Sequence, residues 1–187
     1  LHYFDYGRDL ALRHSDGLGD VARKINGWLT DWIEKNPPGA PIAWDAFPLS
    51  VRLINWSLVL ARYGWDDPAL RASMHVQLGH LASRLENDLS GNHLLKNAVA
   101  LTVAGALLGS PHRDTGLALL QRECAAQMLS DGGHMERSPM YHGQVLLDLI
   151  VAAVVLESVP TWLDDVIREG MDFLRGVMHA DGRCAQF

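Results

Sequence analysis

An all-α fold of antiparallel helical hairpins, arranged as an α/α toroid, is what this sequence predicts, and three observations carry that prediction. Apolar residues recur at a helical period along nearly the whole chain, and the alternating patterns of strands are nearly absent. Short turn signals interrupt the helical pattern at regular intervals, so that consecutive helices fold back on one another. Hairpins recur about every 45 residues, a spacing shared by helical solenoids and α/α toroids. No repeated sequence signature accompanies the spacing, which favours a toroid over an array of copies.

The elements follow from the punctuation. A helix over 18–35 stops at Asn36-Pro37-Pro38-Gly39, and a second over 48–63 stops at Gly64. Pro68 sits at the start of a third, over 67–89, and Ser90-Gly91 separates it from a fourth over 92–109. Gly109-Ser110-Pro111 breaks the chain before a fifth helix over 112–130, which Asp131-Gly132-Gly133 ends. Ser138-Pro139 reads as N-cap and first-turn proline of a sixth helix over 139–157, and Val159-Pro160 precedes a seventh over 160–179. Because the links are short, helices two apart run parallel. The second, fourth and sixth of these predicted helices should therefore begin at one rim.

At 187 residues the chain is one domain, and its 48% hydrophobic and 20% charged composition is that of a folded protein with a sizeable core. The longest apolar runs, Ala98 to Leu108 and Leu146 to Leu156, are too short to span a bilayer and read as buried helices. A formal net charge of -6, without a Lys/Arg cluster, excludes nucleic acid as the expected partner. Cys124 and Cys184 stand in no metal-ligand spacing, so neither a metal nor another cofactor is expected. No signal peptide is visible in the opening residues.

Polar residues that do not favour helix interiors gather where the even predicted helices begin. The second follows Ala43-Trp44-Asp45-Ala46-Phe47-Pro48 and carries Arg52, Asn55 and Trp56. The fourth opens Gly91-Asn92-His93, and the sixth follows His134, Glu136 and Arg137 and carries Tyr141 and His142 in its first turn. Each group has a plain structural reading. Asn92 suits an N-cap, Tyr141 a packing position with a wet hydroxyl, and Arg52, Asn55 and Trp56 a polar-edged core contact. The chemical reading is that an Asn at a helix start donates hydrogen bonds to an anion, while a nearby phenol moves a proton. Such a pair suits proton abstraction next to a carboxylate.

The runs NPPG (36–39), SVRLINW (50–56), GNHLLKNAVAL (91–101) and DGGHMERSPMYH (131–142), with the opening LHYFDY (1–6), resemble the toroid domain of heparinase II/III-like and related alginate-lyase-like enzymes. The resemblance implies a polysaccharide lyase that cleaves uronic-acid-containing glycans by β-elimination. It implies that Asn92 neutralises the uronate carboxylate, that His93 assists, and that Tyr141 transfers a proton to the leaving oxygen. By the same resemblance His134, Glu136, Arg137 and His142 orient Tyr141 or bind sugar, with Arg52, Asn55 and Trp56 as further substrate contacts. It also implies an acidic polysaccharide as partner and a periplasmic or extracellular setting. Family enzymes continue into a C-terminal β-sandwich that adds histidines, and nothing in this chain corresponds to it. The chain therefore reads as an incomplete toroid, inactive alone, with apolar faces open to self-association. The alternatives are an α/α-toroid glycoside hydrolase, for which Asp45, Asp131 and Glu136 are the available acids, and a non-catalytic glycan-binding domain.

Overall fold

A computed structural model of the chain describes residues 2–13, 18–87 and 91–184. Among them are eight helices: α1 (Asp5–Arg13), α2 (Leu18–Lys35), α3 (Ala46–Tyr63), α4 (Pro68–Ala82), α5 (Asn92–Leu108), α6 (His112–Gln127), α7 (Pro139–Val155) and α8 (Thr161–Val177). The odd helices pack side by side in one row and the even helices in another, each even helix against the odd one before it. This is an incomplete α/α toroid of antiparallel hairpins, as the sequence predicts. Helix α1 is missing from the sequence reading, because its nine residues have only Gly7 and Ala11 on the buried side and no apolar stripe marks it.

The apolar composition of α5 places it centrally, with both rows leaning on it; Leu95, Ala98, Val99, Leu101 and Val103 are fully buried. Its contact with α6 is close because both carry glycine at the crossing. A Cβ on Gly116 would stand 2.5 Å from the Thr102 backbone nitrogen, and one on Gly105 2.5 Å from that of Arg113.

Two predicted helix ends move by three residues or more. The helix predicted over 67–89 starts as expected, with the Asp67 side chain capping Ala69 N and Leu70 N, but α4 ends at Ala82. Tertiary structure claims the next residues, since the backbone N–H of Glu86 donates to Asn97 Oδ1 at 3.0 Å. The last two residues of that prediction, and Ser90 of the break after it, lie outside the described residues. Helix α6 stops at Gln127 rather than 130 because a tight turn follows, in which Leu129 N donates to Gly133 O at 2.8 Å and Met128 bridges to His134.

That turn occurs twice among the described residues. After α8, Met178 bridges to Cys184 and His179 N donates to Arg183 O at 2.9 Å. Asp131 Oδ1 accepts from Gly133 N at 2.9 Å in the first turn, and Asp181 Oδ1 from Arg183 N at 3.0 Å in the second. Gly132 and Gly182 hold φ of +82° and +80°, a conformation that favours glycine. Asp and Gly are the two residues the turn demands. Three shared positions in seven, Met, Asp and Gly, are too few to register as a repeat in sequence.

Candidate active site

Three helix starts meet at one end of the odd row, as the parity of short links requires. Phe47 in the first turn of α3 lies against His93 in the first turn of α5, ring centroids 4.4 Å apart and 32° from parallel. The start of α5 in turn abuts the loop before α7: a Cβ on Gly91 would stand 3.1 Å from Glu136 Oε1. Gln127, 2% exposed at the end of α6, ties these pieces together. Its Nε2 donates to Gly91 O at 3.0 Å, and its Oε1 accepts from His134 Nε2 at 2.9 Å. Deeper in, Lys96 of α5 pairs with Asp148 of α7. Burial raises the Asp148 carboxyl above its ordinary range, and the Lys96 ammonium opposes that shift.

At this end the side chains of Asn92 and Tyr141 have no partner among the described residues. Asn92 is not a helix cap: the N-cap of α5 is Gly91, with φ of 107°, and Asn92 is the first residue inside the helix. Its side chain makes no hydrogen bond to a described residue. Tyr141, 39% exposed, is the third residue of α7, whose N-cap Ser138 receives the Tyr141 backbone N–H. The Tyr141 hydroxyl likewise has no partner among the described residues. Both groups stand on helix starts, where backbone N–H groups and the helix dipole favour an anion.

A family described as Heparinase II/III N-terminus matches residues 14–169. The chain belongs to that family. A heparin-sulfate lyase of Pedobacter heparinus is 29% identical over 160 residues, covering 76% of this chain and 24% of that protein. The FtsZ-localized protein C of Caulobacter vibrioides is 30% identical over 155 residues, covering 66% of this chain and 26% of that protein. A solved heparinase III structure is similar over 96% of this chain and 31% of its own, with TM-score 0.76 at 21% identity. A heparan sulfate lyase structure from P. heparinus covers 100% and 33%, with TM-score 0.72 at 22% identity. At those identities the structural likeness is one of fold. The chain spans about a quarter of the length of these curated relatives.

Within this heparinase-family domain the residues expected to touch substrate divide by burial. Arg52 and Trp56 are fully buried and Asn55 is 2% exposed, so in this structure their side chains meet protein. Arg52 donates to Gln77 Oε1 and to Ala43 O, each at 2.8 Å, and its guanidinium stacks 3.9 Å from the Trp32 ring centroid. Burial pulls its pKa down to about 9. Asn55 donates to Tyr3 O at 2.7 Å and to Asp5 Oδ1 at 2.9 Å, and Trp56 packs edge-on against Phe4 and Trp32. The three fasten the N-terminal segment and α2 onto α3.

His134 and His142 are also interior, 2% and 1% exposed. His134 donates from Nε2 to Gln127 and accepts the Glu136 N–H on Nδ1 at 3.4 Å. Burial pulls it below the ordinary imidazole value; the Glu136 carboxylate opposes this and His142 adds to it, so it is neutral. His142 donates from Nε2 to Gly170 O at 2.9 Å and lies edge-on to Phe173, fixing α7 against α8. Glu136 and Arg137 are exposed beside these anchors, and Arg137 holds φ of 53°.

Sequence reading missed Gln127, Glu86 and Asn97. Asn97 carried a signal: an amide in an apolar helical run needs buried partners, and this one is fully buried. Nothing local distinguishes Gln127 from a solvent-facing residue at a helix end.

Proposed function

We propose that this domain supplies the carboxylate-neutralising and proton-transfer groups of a lyase acting on a uronic-acid-containing polysaccharide, with further groups coming from outside these 187 residues. The observation that carries this reading is that Asn92 and Tyr141, both without side-chain partners among the described residues, stand on the first turns of two neighbouring parallel helices that begin at one end. The heparin-sulfate lyases among the relatives support an acidic glycan as substrate.

In the reaction, the Asn92 amide donates to the uronate carboxylate and disperses the charge that develops when the adjacent carbon loses its proton. The electron pair left on that carbon forms the new double bond as the carbon–oxygen bond to the next sugar breaks. Tyr141 gives its proton to the departing oxygen and recovers one from solvent. Glu136 and Arg137 line the approach to Tyr141, and His93 assists beside Asn92.

The test is an assay of the enzyme carrying this domain against a panel of uronate polysaccharides, reading the ultraviolet absorbance of the unsaturated product. Tyr141→Phe removes only a hydroxyl from a half-exposed ring and is expected to lower turnover roughly 100- to 10,000-fold without loss of folding. Asn92→Asp keeps the size of the side chain and sets a negative charge against the substrate carboxylate; it is expected to fold and turn over poorly. Near-normal activity in both variants would end this reading.

The FtsZ-localized protein C favours a second reading, because a family relative of similar identity carries a name that describes no lyase. In that case the same rim holds a glycan without cleaving it, and binding to uronate oligosaccharides without any absorbing product would establish it. We further propose that these 187 residues, expressed alone, self-associate through an exposed face of α7.

A further inference from the structure

The strongest unassigned arrangement surrounds His93. Its Nδ1 lies 3.1 Å from Glu86 Oε1. The other oxygen of that carboxylate, Oε2, accepts from Asn97 Nδ2 at 3.0 Å, and Asn97 Oδ1 accepts the Glu86 backbone N–H, also at 3.0 Å. Asn97 Nδ2 donates its second hydrogen to Ser50 Oγ at 3.0 Å, and both Asn97 and Ser50 are fully buried. The carboxylate is thus held by Asn97 of α5, which Ser50 of α3 anchors in turn. The imidazole it holds is pressed on one face by Phe47 and keeps a 41% exposed side chain at the rim, one residue from Asn92.

We infer that Glu86, itself held by Asn97, is a positioning residue that fixes His93 with its proton on Nδ1, leaving the Nε2 lone pair open at the rim as a proton acceptor. The donor inventory forces the tautomer. A carboxylate only accepts, so the nitrogen facing it carries the hydrogen and the other nitrogen of a neutral ring does not. The role in turnover rests on the lyase reading above. There the proton leaving the carbon beside the uronate carboxylate passes to Nε2, the electron pair enters the new double bond, and Tyr141 protonates the departing oxygen. The resulting imidazolium is stabilised by Glu86 until it returns its proton to solvent.

Replacing Glu86 by Gln has a defined consequence. Asn97 Nδ2 still requires an acceptor, so the Gln carbonyl faces Asn97 and its NH2 faces His93. Nδ1 must then accept, and the proton moves to Nε2. Nitrogen-15 spectra of this chain, with the His93 signals assigned by their loss in His93→Gln, report the tautomer directly at a pH where the ring is neutral. The expected result is a single Nδ1–H form in the native chain and a single Nε2–H form in folded Glu86→Gln. An Nε2–H form or a tautomer mixture in the native chain overturns the inference, as does an unchanged tautomer in folded Glu86→Gln. Should Glu86→Gln not fold, the native spectrum alone decides. In the lyase assay Glu86→Gln is expected to lower turnover about 100-fold with little change in KM. The spectra do not depend on activity, so a protein that cleaves nothing ends the lyase reading and leaves the positioning result standing.

Discussion

Arg52 shows how a residue can carry the chemistry of a binding site and serve the core instead. An Arg with Asn and Trp at helical spacing near a cleft is what an anion-binding face requires. It is equally what a helix requires when it must satisfy the carbonyls of an irregular segment laid across it. Burial decides between them, and burial depends on α2 and the N-terminal residues, which lie far away in sequence. Replacing Arg52 by Ala leaves Gln77 Oε1 and Ala43 O without their donor and opens space beside Trp32. A stability loss on the order of 3 kcal/mol in chemical denaturation is expected. A variant as stable as the parent but defective in glycan binding would restore the substrate role. The helix starts that carry Asn92 and Tyr141 were legible because Gly91 and Ser138-Pro139 announce them locally.

At the scale of elements, the boundaries that sequence misplaced are those that another element sets. Helix α4 continues in sequence pattern past Ala82, yet Asn97 draws Glu86 out of it. Helix α6 stops short because an Asp-Gly turn closes on its last residues. The crossing of α5 and α6 offers a sharp test. In a solvent-facing helix, Gly→Ala gains ~0.5–1 kcal/mol from backbone entropy. At Gly116 the new methyl would sit 2.5 Å from the Thr102 backbone nitrogen and 2.7 Å from the Leu101 Cβ, both held by the core. Overpacking of this kind costs ~1–3 kcal/mol, so the net effect is destabilising. Gly116→Ala is expected to lower the Tm; a rise would show that the two helices separate freely.

At the scale of the whole molecule, two rows of helices leave one row with an unpartnered face. On α7, Met140, Leu147 and Val154 are 44%, 56% and 77% exposed and recur at helical spacing, with Val151 half-buried between them. Helix α5 covers the corresponding face of α3, and α7 that of α5. Each such side chain removed from water contributes ~1.5–3 kcal/mol, enough to drive association of the 187-residue chain at high concentration. Sedimentation is expected to show concentration-dependent association, abolished in Leu147→Glu/Val154→Glu without loss of stability. A monomer at all concentrations would refute self-association.

Residues near one another in the chain determined what could be read from sequence alone. Apolar periodicity, the cap at Ser138, and the breaks at Gly64, Gly109 and Asp131-Gly132 sufficed for seven of the helices and for the parity that brings three helix starts to one end. Tertiary structure alone decided which polar side chains face solvent. Arg52, Asn55, His134 and His142 went inward, and Glu86 became the partner of His93, because each is held by groups 7 to 52 residues away in the chain. Helical period states which residues share a face, but whether that face meets protein or water depends on what the rest of the chain lays across it.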